Sequence, residues 1–238
     1  MKEKIKYIRW FDLLLITGVM FGYMIYSSTL WFVASLNTSA QEAVTYTENY
    51  SYSAAENYLG LALQCAYLAV VFVYLKWRRF DFSQWRIKIT PRAILTGIVL
   101  FAAASLCNDA IGYGVEGLTN LGASPTPLYG FFANETVSTV IYAILNGFYE
   151  EIYFIGICLS VQPKFRIPAF LFSLVIRFSF HTYQGLASAF GIAFVLGVGY
   201  FIYIVKAKDK NLFPIFFSHM IADVTGLGLV YYIYRSMP

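Results

Sequence analysis

The sequence predicts an all-α, polytopic bundle of about seven membrane-spanning helices, and three observations carry that prediction. Hydrophobic residues make up 59% of the 238 residues and charged residues only 13%, with a mean hydropathy of +0.61. A soluble domain typically carries about 25% charged residues. Apolar runs near the roughly 20 residues that a helix needs to cross the hydrocarbon core recur along the whole chain. Finally, Lys and Arg fall in alternate connections, as they do when successive loops lie on opposite sides of a membrane. There is no internal repeat, phosphate-binding glycine loop or basic-aromatic array, so nucleic acid is excluded as a partner and the lipid bilayer is the expected surroundings. Residues 1–238 read as a single integral membrane domain.

Taken in order, helices are expected over roughly 10–34, 57–75, 93–115, 136–161, 167–183, 187–205 and 213–234. The first run is longer than the 7–15 apolar residues of a signal-peptide core, so it reads as an uncleaved span. Lys2, Lys4, Lys6 and Arg9 precede it, and Lys76, Arg78, Arg79, Arg86, Lys88 and Arg92 surround the next connection on that side. Lys164 and Arg166 follow the fourth span and Lys206, Lys208 and Lys210 the sixth, whereas 35–56 and 116–135 contain no Lys or Arg. This distribution places the N-terminus in the cytoplasm and the C-terminus outside, in what is expected to be a plasma membrane. Cys65, Cys107 and Cys158 lack metal or redox spacing and read as small core residues. Asp12, Asp109 and Glu116 lie near predicted span ends, where interfacial solvation accounts for them.

Six polar residues lie where a bilayer should reject them: Glu150 and Glu151 in the fourth span, Arg177 and His181 in the fifth, His219 and Asp223 in the seventh. A charged side chain at mid-membrane costs about 2.5–3.5 kcal/mol on insertion scales, so such residues mark sites or partners. At 1.5 Å per residue, Glu150 lies about 16 Å from the basic end of its helix, His181 about 21 Å, His219 about 10 Å and Asp223 about 16 Å, so the groups can meet near one level. Residues four apart share a helix face, which pairs Arg177 with His181 and His219 with Asp223. Adjacent glutamates diverge by about 100°, so Glu150 and Glu151 are expected to do different jobs.

A buried carboxylate beside an imidazole can activate water, and a second polar pair can hold the oxyanion formed when an amide carbonyl is attacked. Other readings stand beside this one. The glutamates suit a proton or ion relay, or an ion pair with Arg177 alone, and the histidines suit interhelical hydrogen bonding. His181, His219 and a carboxylate are chemically capable of holding zinc, although no H-E-x-x-H spacing is present. Inverted repeats of the kind that mark secondary transporters are absent.

The order of these motifs resembles the CPBP family, the CAAX-processing and bacteriocin-processing intramembrane endopeptidases also called the Abi family. The resemblance rests on E-E at Glu150–Glu151, H-x-Y-Q-G from His181 to Gly185, a glycine-punctuated span at Gly191 and Gly197, and H-x-x-x-D from His219 to Asp223. It covers residues 90–234 as a CAAX-protease-like core, with 1–89 as accessory spans. It implies that Glu150 activates water together with His181, that His219 and Asp223 form the oxyanion site, and that Glu151 supports them, with no metal or other cofactor.

Two positions depart from the family pattern. The arginine of E-E-x-x-x-R is replaced by Ile155, and the phenylalanine of F-x-x-x-H by Arg177. Arg177 is therefore expected to supply from the fifth helix the guanidinium that the fourth lacks; the alternative is a pseudoenzyme that lost the arginine with its activity. The implied function is hydrolysis of a peptide bond in a membrane-associated substrate: a CAAX-type C-terminus, a pheromone precursor or a bacteriocin precursor. The competing function is a non-catalytic bacteriocin self-immunity factor, or a regulator or scaffold bound to another membrane protein.

Overall fold

The computed structural model describes residues 3–36, 53–119 and 137–229. These form an all-α membrane helix bundle: α1 (Trp10–Ser35), α2 (Ala54–Trp77), α3 (Pro91–Thr119), α4 (Val137–Glu151), α5 (Arg166–His181), α6 (Leu186–Phe190), α7 (Gly197–Lys206) and α8 (Phe213–Thr225). α4 continues without a break into a π-helical turn at Ile152–Ile157, and a second π turn at Gly191–Leu196 joins α6 to α7 in one rod. Of the connections expected at 35–56 and 116–135, residues 37–52 and 120–135 lie outside the described residues, while 54–56 and 116–119 are already helical.

Among the described residues, five segments are long and apolar enough to span a membrane: Trp10–Ser35, Ala54–Trp77, Pro91–Ile111, Val137–Ile157 and Ser188–Lys206. Two expected spans are shorter as helices. α5 has 16 residues and α8 has 13. α8 ends because Gly226 takes φ +73°, a left-handed conformation that costs glycine little and halts the helix. Its expected extension over 230–234 lies outside the described residues. A short helix surrounded by others does not have to cover the hydrocarbon thickness alone, and both carry a polar site residue on each of two successive turns.

α4 occupies the centre. Two thirds (67%) of its most apolar stretch is buried by protein, against 22–39% for the other four spans, whose remaining surface is left for lipid. This also corrects the reading of the cysteines. Cys158 is buried, but Cys65 and Cys107 are exposed on the outside of the bundle, because in a bilayer an apolar residue gains nothing by being inside rather than on the lipid face.

At one end, the basic connections are tied together by backbone hydrogen bonds. Ile5 donates to Arg79 and Asp81 to Ile5, Ile8 donates to Ser160, and Leu212 donates to Arg86. Asn211 seals the same end with a side-chain pair to the Lys88 backbone, at 2.9 and 2.8 Å. Half-buried Asp81 takes hydrogen bonds from Ser83, which hold its carboxyl below the usual carboxylate range. The expectation for Asp12 is overturned here. It is buried, and accepts from Arg78 Nε at 2.8 Å, Arg78 NH2 at 3.1 Å and Tyr74 at 2.6 Å. The chain before α1 folds back over the helix ends and excludes the water that the expectation relied on. Asp109 is buried as well.

The contact that sets the position of α8 is at Gly147. A Cβ there would lie 2.8 Å from Met220 Cγ, 2.9 Å from the Met220 nitrogen and 3.1 Å from the Phe216 oxygen. Two of those atoms are backbone, so the helices would have to separate. Gly147→Ala is expected to destabilise the detergent-solubilised protein by about 1–3 kcal/mol. Gly22→Ala, where a Cβ meets nothing within 4 Å, should leave the unfolding transition in place. Equal transitions for the two variants would contradict the close crossing.

Candidate active site

The polar residues predicted from α4, α5 and α8 converge in the bundle interior, and Glu150, Glu151, Arg177, His181 and His219 are all buried. Glu151 is the hub. Its two oxygens take a forked pair of hydrogen bonds from Arg177, at 2.7 Å from NH1 and 2.8 Å from NH2, and Oε1 also accepts from His219 Nδ1 at 2.5 Å. The side chains of Arg177 and Glu151 are 1% and 0% exposed. Such a charge pair is tolerable away from water only with good, here bidentate, hydrogen-bonded geometry. The guanidinium carbon also lies 4.0 Å from the centre of the Phe154 ring, a cation–π contact supplied by the π turn. Gly197 packs close beside this pair: a Cβ there would press on Leu174 Cδ2 at 2.7 Å and would meet Arg177 Nε only in ordinary contact, at 3.7 Å.

Glu150 faces another way, as expected for an adjacent residue. Its Oε1 accepts from Asn146 Nδ2 at 3.0 Å, and its Oε2 has no hydrogen-bond partner. His219 lies between the glutamates. With Nδ1 turned to Glu151, its Nε2 is 3.2 Å from Asp223 Oδ1 and 3.7 Å from Glu150 Oε2. Asp223 is the exposed member of the group, with 25% of its side chain accessible, so the cluster opens on its side.

His181 is joined to this group through Arg177. Its Nδ1 lies 2.8 Å from the Arg177 carbonyl and its ring packs on Phe180 with centroids 4.0 Å apart. Because a carbonyl only accepts, Nδ1 carries the hydrogen, and Nε2 of the neutral ring is left as an acceptor. Ile155 is buried in the π turn.

Two members of the cluster were not anticipated. Asn146 is one turn before Glu150 and donates both to it and to Asp223 Oδ2, the latter at 2.8 Å. The i, i+4 spacing that paired His219 with Asp223 also points to Asn146. Gln64, from α2, donates to Asn146 Oδ1 at 2.7 Å and to the Tyr142 hydroxyl at 3.2 Å. It lies in a different span, and no spacing links it to the others.

Glu150, Glu151 and His219 present ligand atoms within 4.8 Å of one another. A dication there would compete with Arg177 and with His219 Nδ1 for the oxygens of Glu151, next to a permanent positive charge. Of the other ligand atoms, Glu150 Oε2 has no hydrogen-bond partner and His219 Nε2 faces Asp223 Oδ1 at 3.2 Å. That set suits a bound water and its protons better than the closed ligand sphere of a zinc site.

Residues 132–225 match the family described as Type II CAAX prenyl endopeptidase Rce1-like. The matched stretch contains α4, α5 and α8 and every predicted site residue, and it supports membership of the CAAX-protease family to which the motif order pointed. No curated protein and no solved structure matches the chain.

Removing one partner of the central pair should show its buried character. Arg177→Met leaves Glu151 with an uncompensated charge and is expected to cost about 3–5 kcal/mol. Adding Glu151→Gln to it should recover part of that loss, as a double-mutant cycle on thermal unfolding in detergent would show. Strictly additive losses would mean that the two side chains do not meet.

Proposed function

We propose that the protein is an intramembrane endopeptidase of the CAAX-processing type, which hydrolyses a peptide bond near the membrane-embedded end of an anchored peptide or protein. The carrying observation is Glu150: a buried carboxylate with one oxygen fixed by Asn146 and the other free of protein partners, next to His219 and Asp223. A water at that free oxygen is the expected nucleophile.

In this reading Glu150 takes a proton from the water as its oxygen attacks the substrate carbonyl carbon. His181, with Nε2 as acceptor, holds the same water in line. The carbonyl oxygen gains the negative charge and is stabilised by His219 Nε2–H and by Asp223 acting as a hydrogen-bond donor. As the carbon–nitrogen bond breaks, Glu150 returns the proton to the leaving amine. Arg177 takes the place of the motif arginine absent at 155 by charging and orienting Glu151, which in turn orients His219. On this view Ile155 does not mark a pseudoenzyme.

The basic, stitched end of the bundle faces the cytoplasm, in keeping with the positive-inside rule. The substrate is then presented from that leaflet as a CAAX-type C-terminus, with pheromone and bacteriocin precursors as the other members of the same chemical class.

Purified protein in nanodiscs, given a panel of prenylated and other membrane-anchored peptides, provides the test. Glu150→Gln and His181→Ala should each reduce cleavage by at least about 100-fold, the scale of a lost general base, and a chelator should leave the wild type unchanged. Chelator-sensitive cleavage would move the chemistry to a metal. Variants that retain full biological activity, together with a wild type that cleaves nothing, would establish instead the self-immunity or scaffold role with a partner membrane protein.

A further inference from the structure

We infer that Asn146, locked by Gln64 of α2, is a positioning residue that clamps Glu150 to Asp223; its catalytic consequence rests on the proteolytic reading above. One amide nitrogen, Asn146 Nδ2, lies 3.0 Å from Glu150 Oε1 and 2.8 Å from Asp223 Oδ2. Its two hydrogens are therefore divided between a carboxylate of α4 and a carboxylate of α8, groups assigned opposite ends of the reaction.

The direction of the chain is fixed by chemistry. A carboxyl oxygen that carries no hydrogen only accepts, so the amide must present its nitrogen to Glu150 Oε1 and Asp223 Oδ2, leaving Asp223 Oδ1 to carry the hydrogen it donates, and its oxygen to the other side. That oxygen is met at 2.7 Å by Gln64 Nε2. An Asn146 flip would place its oxygen against two carboxylates and its nitrogen against a donor, so Gln64 holds the amide in its useful orientation. Asn146, Gln64 and Glu150 are all buried, so water competes little for the bonds among them. α2 lies outside the segment that matches the endopeptidase family, at residues 132–225, yet through Gln64 it becomes part of the reaction centre.

The clamp is read directly by solid-state NMR on the full chain in lipid bilayers, as dipolar couplings from Asn146 Nδ2 to the carboxyl carbons of Glu150 and Asp223. Both couplings are expected in the wild type, and Gln64→Met, similar in size but without the donor, should weaken them by at least half. Absent couplings, or couplings unchanged in Gln64→Met, would overturn the clamp whether or not the protein cleaves anything.

In the cleavage assay, Asn146→Leu and Gln64→Met should lower kcat by about 10- to 100-fold with KM within about twofold. The double variant should be no slower than Asn146→Leu alone, since Gln64 acts through Asn146. Losses that multiply, or that appear in KM, would overturn the positioning role. A wild type that cleaves no peptide would sink the proteolytic reading and leave the clamp to be decided by the couplings; where Asn146→Leu fails to fold, Gln64→Met carries both readouts.

Discussion

The forked ion pair between Arg177 and Glu151 is the constraint on which the rest of the interior is arranged. Two unit charges held away from water need well-placed partners, and the bundle provides them from four directions. α4 brings the carboxylate, α5 the guanidinium, α8 the His219 nitrogen on Glu151 Oε1, and the π turn after α4 the ring of Phe154. Each of these partners also has a second task. Arg177 offers its backbone carbonyl to His181, and His219 turns its other nitrogen toward Glu150 and Asp223. A structural pair therefore restrains the side chains of the neighbouring polar residues, which is how a buried polar cluster gains preorganisation.

Helix packing and electrostatics act together around this pair. α8 can bring His219 to Glu151 because Gly147 allows the α4 and α8 backbones to touch. Gly197 lets α5 pack closely at Leu174, where a Cβ would come within 2.7 Å of Cδ2. At the basic end, the segment before α1 and the connections at 79–86, 160 and 207–212 are linked by backbone bonds rather than by side chains alone, which limits relative sliding of the helix ends below the cluster. The lipid-facing surfaces of α1, α2 and α3 have no comparable restraint, because apolar side chains in lipid gain little from one partner over another.

How far the sequence could be read follows from the kind of force involved. The helices were legible because hydrophobic length is a bilayer requirement, and the cluster because polar residues at depth are costly. The need for a cation beside two carboxylates pointed to Arg177, and the structure places it on Glu151. Asn146 carried a readable signal, its i, i+4 relation to Glu150. Gln64 carried none, since an interhelical hydrogen bond leaves no periodicity in a single chain. Asp12 was misread because the relevant partners, Tyr74 and Arg78, come from a helix 62 and 66 positions away. Cys65 and Cys107 were misread because apolarity alone does not distinguish the protein interior from lipid.

The π turn at Ile152–Ile157 also affects how this chain is compared with its relatives. Its hydrogen bonds run from residue i+5 rather than i+4, as from the Cys158 nitrogen to the Tyr153 oxygen at 2.9 Å, so it holds one residue more than an α-helical turn. Beneath Glu151, the position one turn on is therefore 156, not 155. Counting along an E-E-x-x-x-R motif assumes regular α-helix, and here the count slips by one place within the motif itself. Ile155 therefore does not occupy the spot that a residue four places on from Glu151 would hold on an unbulged helix; that spot falls to Gly156, which offers no side chain, and the guanidinium on Glu151 comes from Arg177 instead.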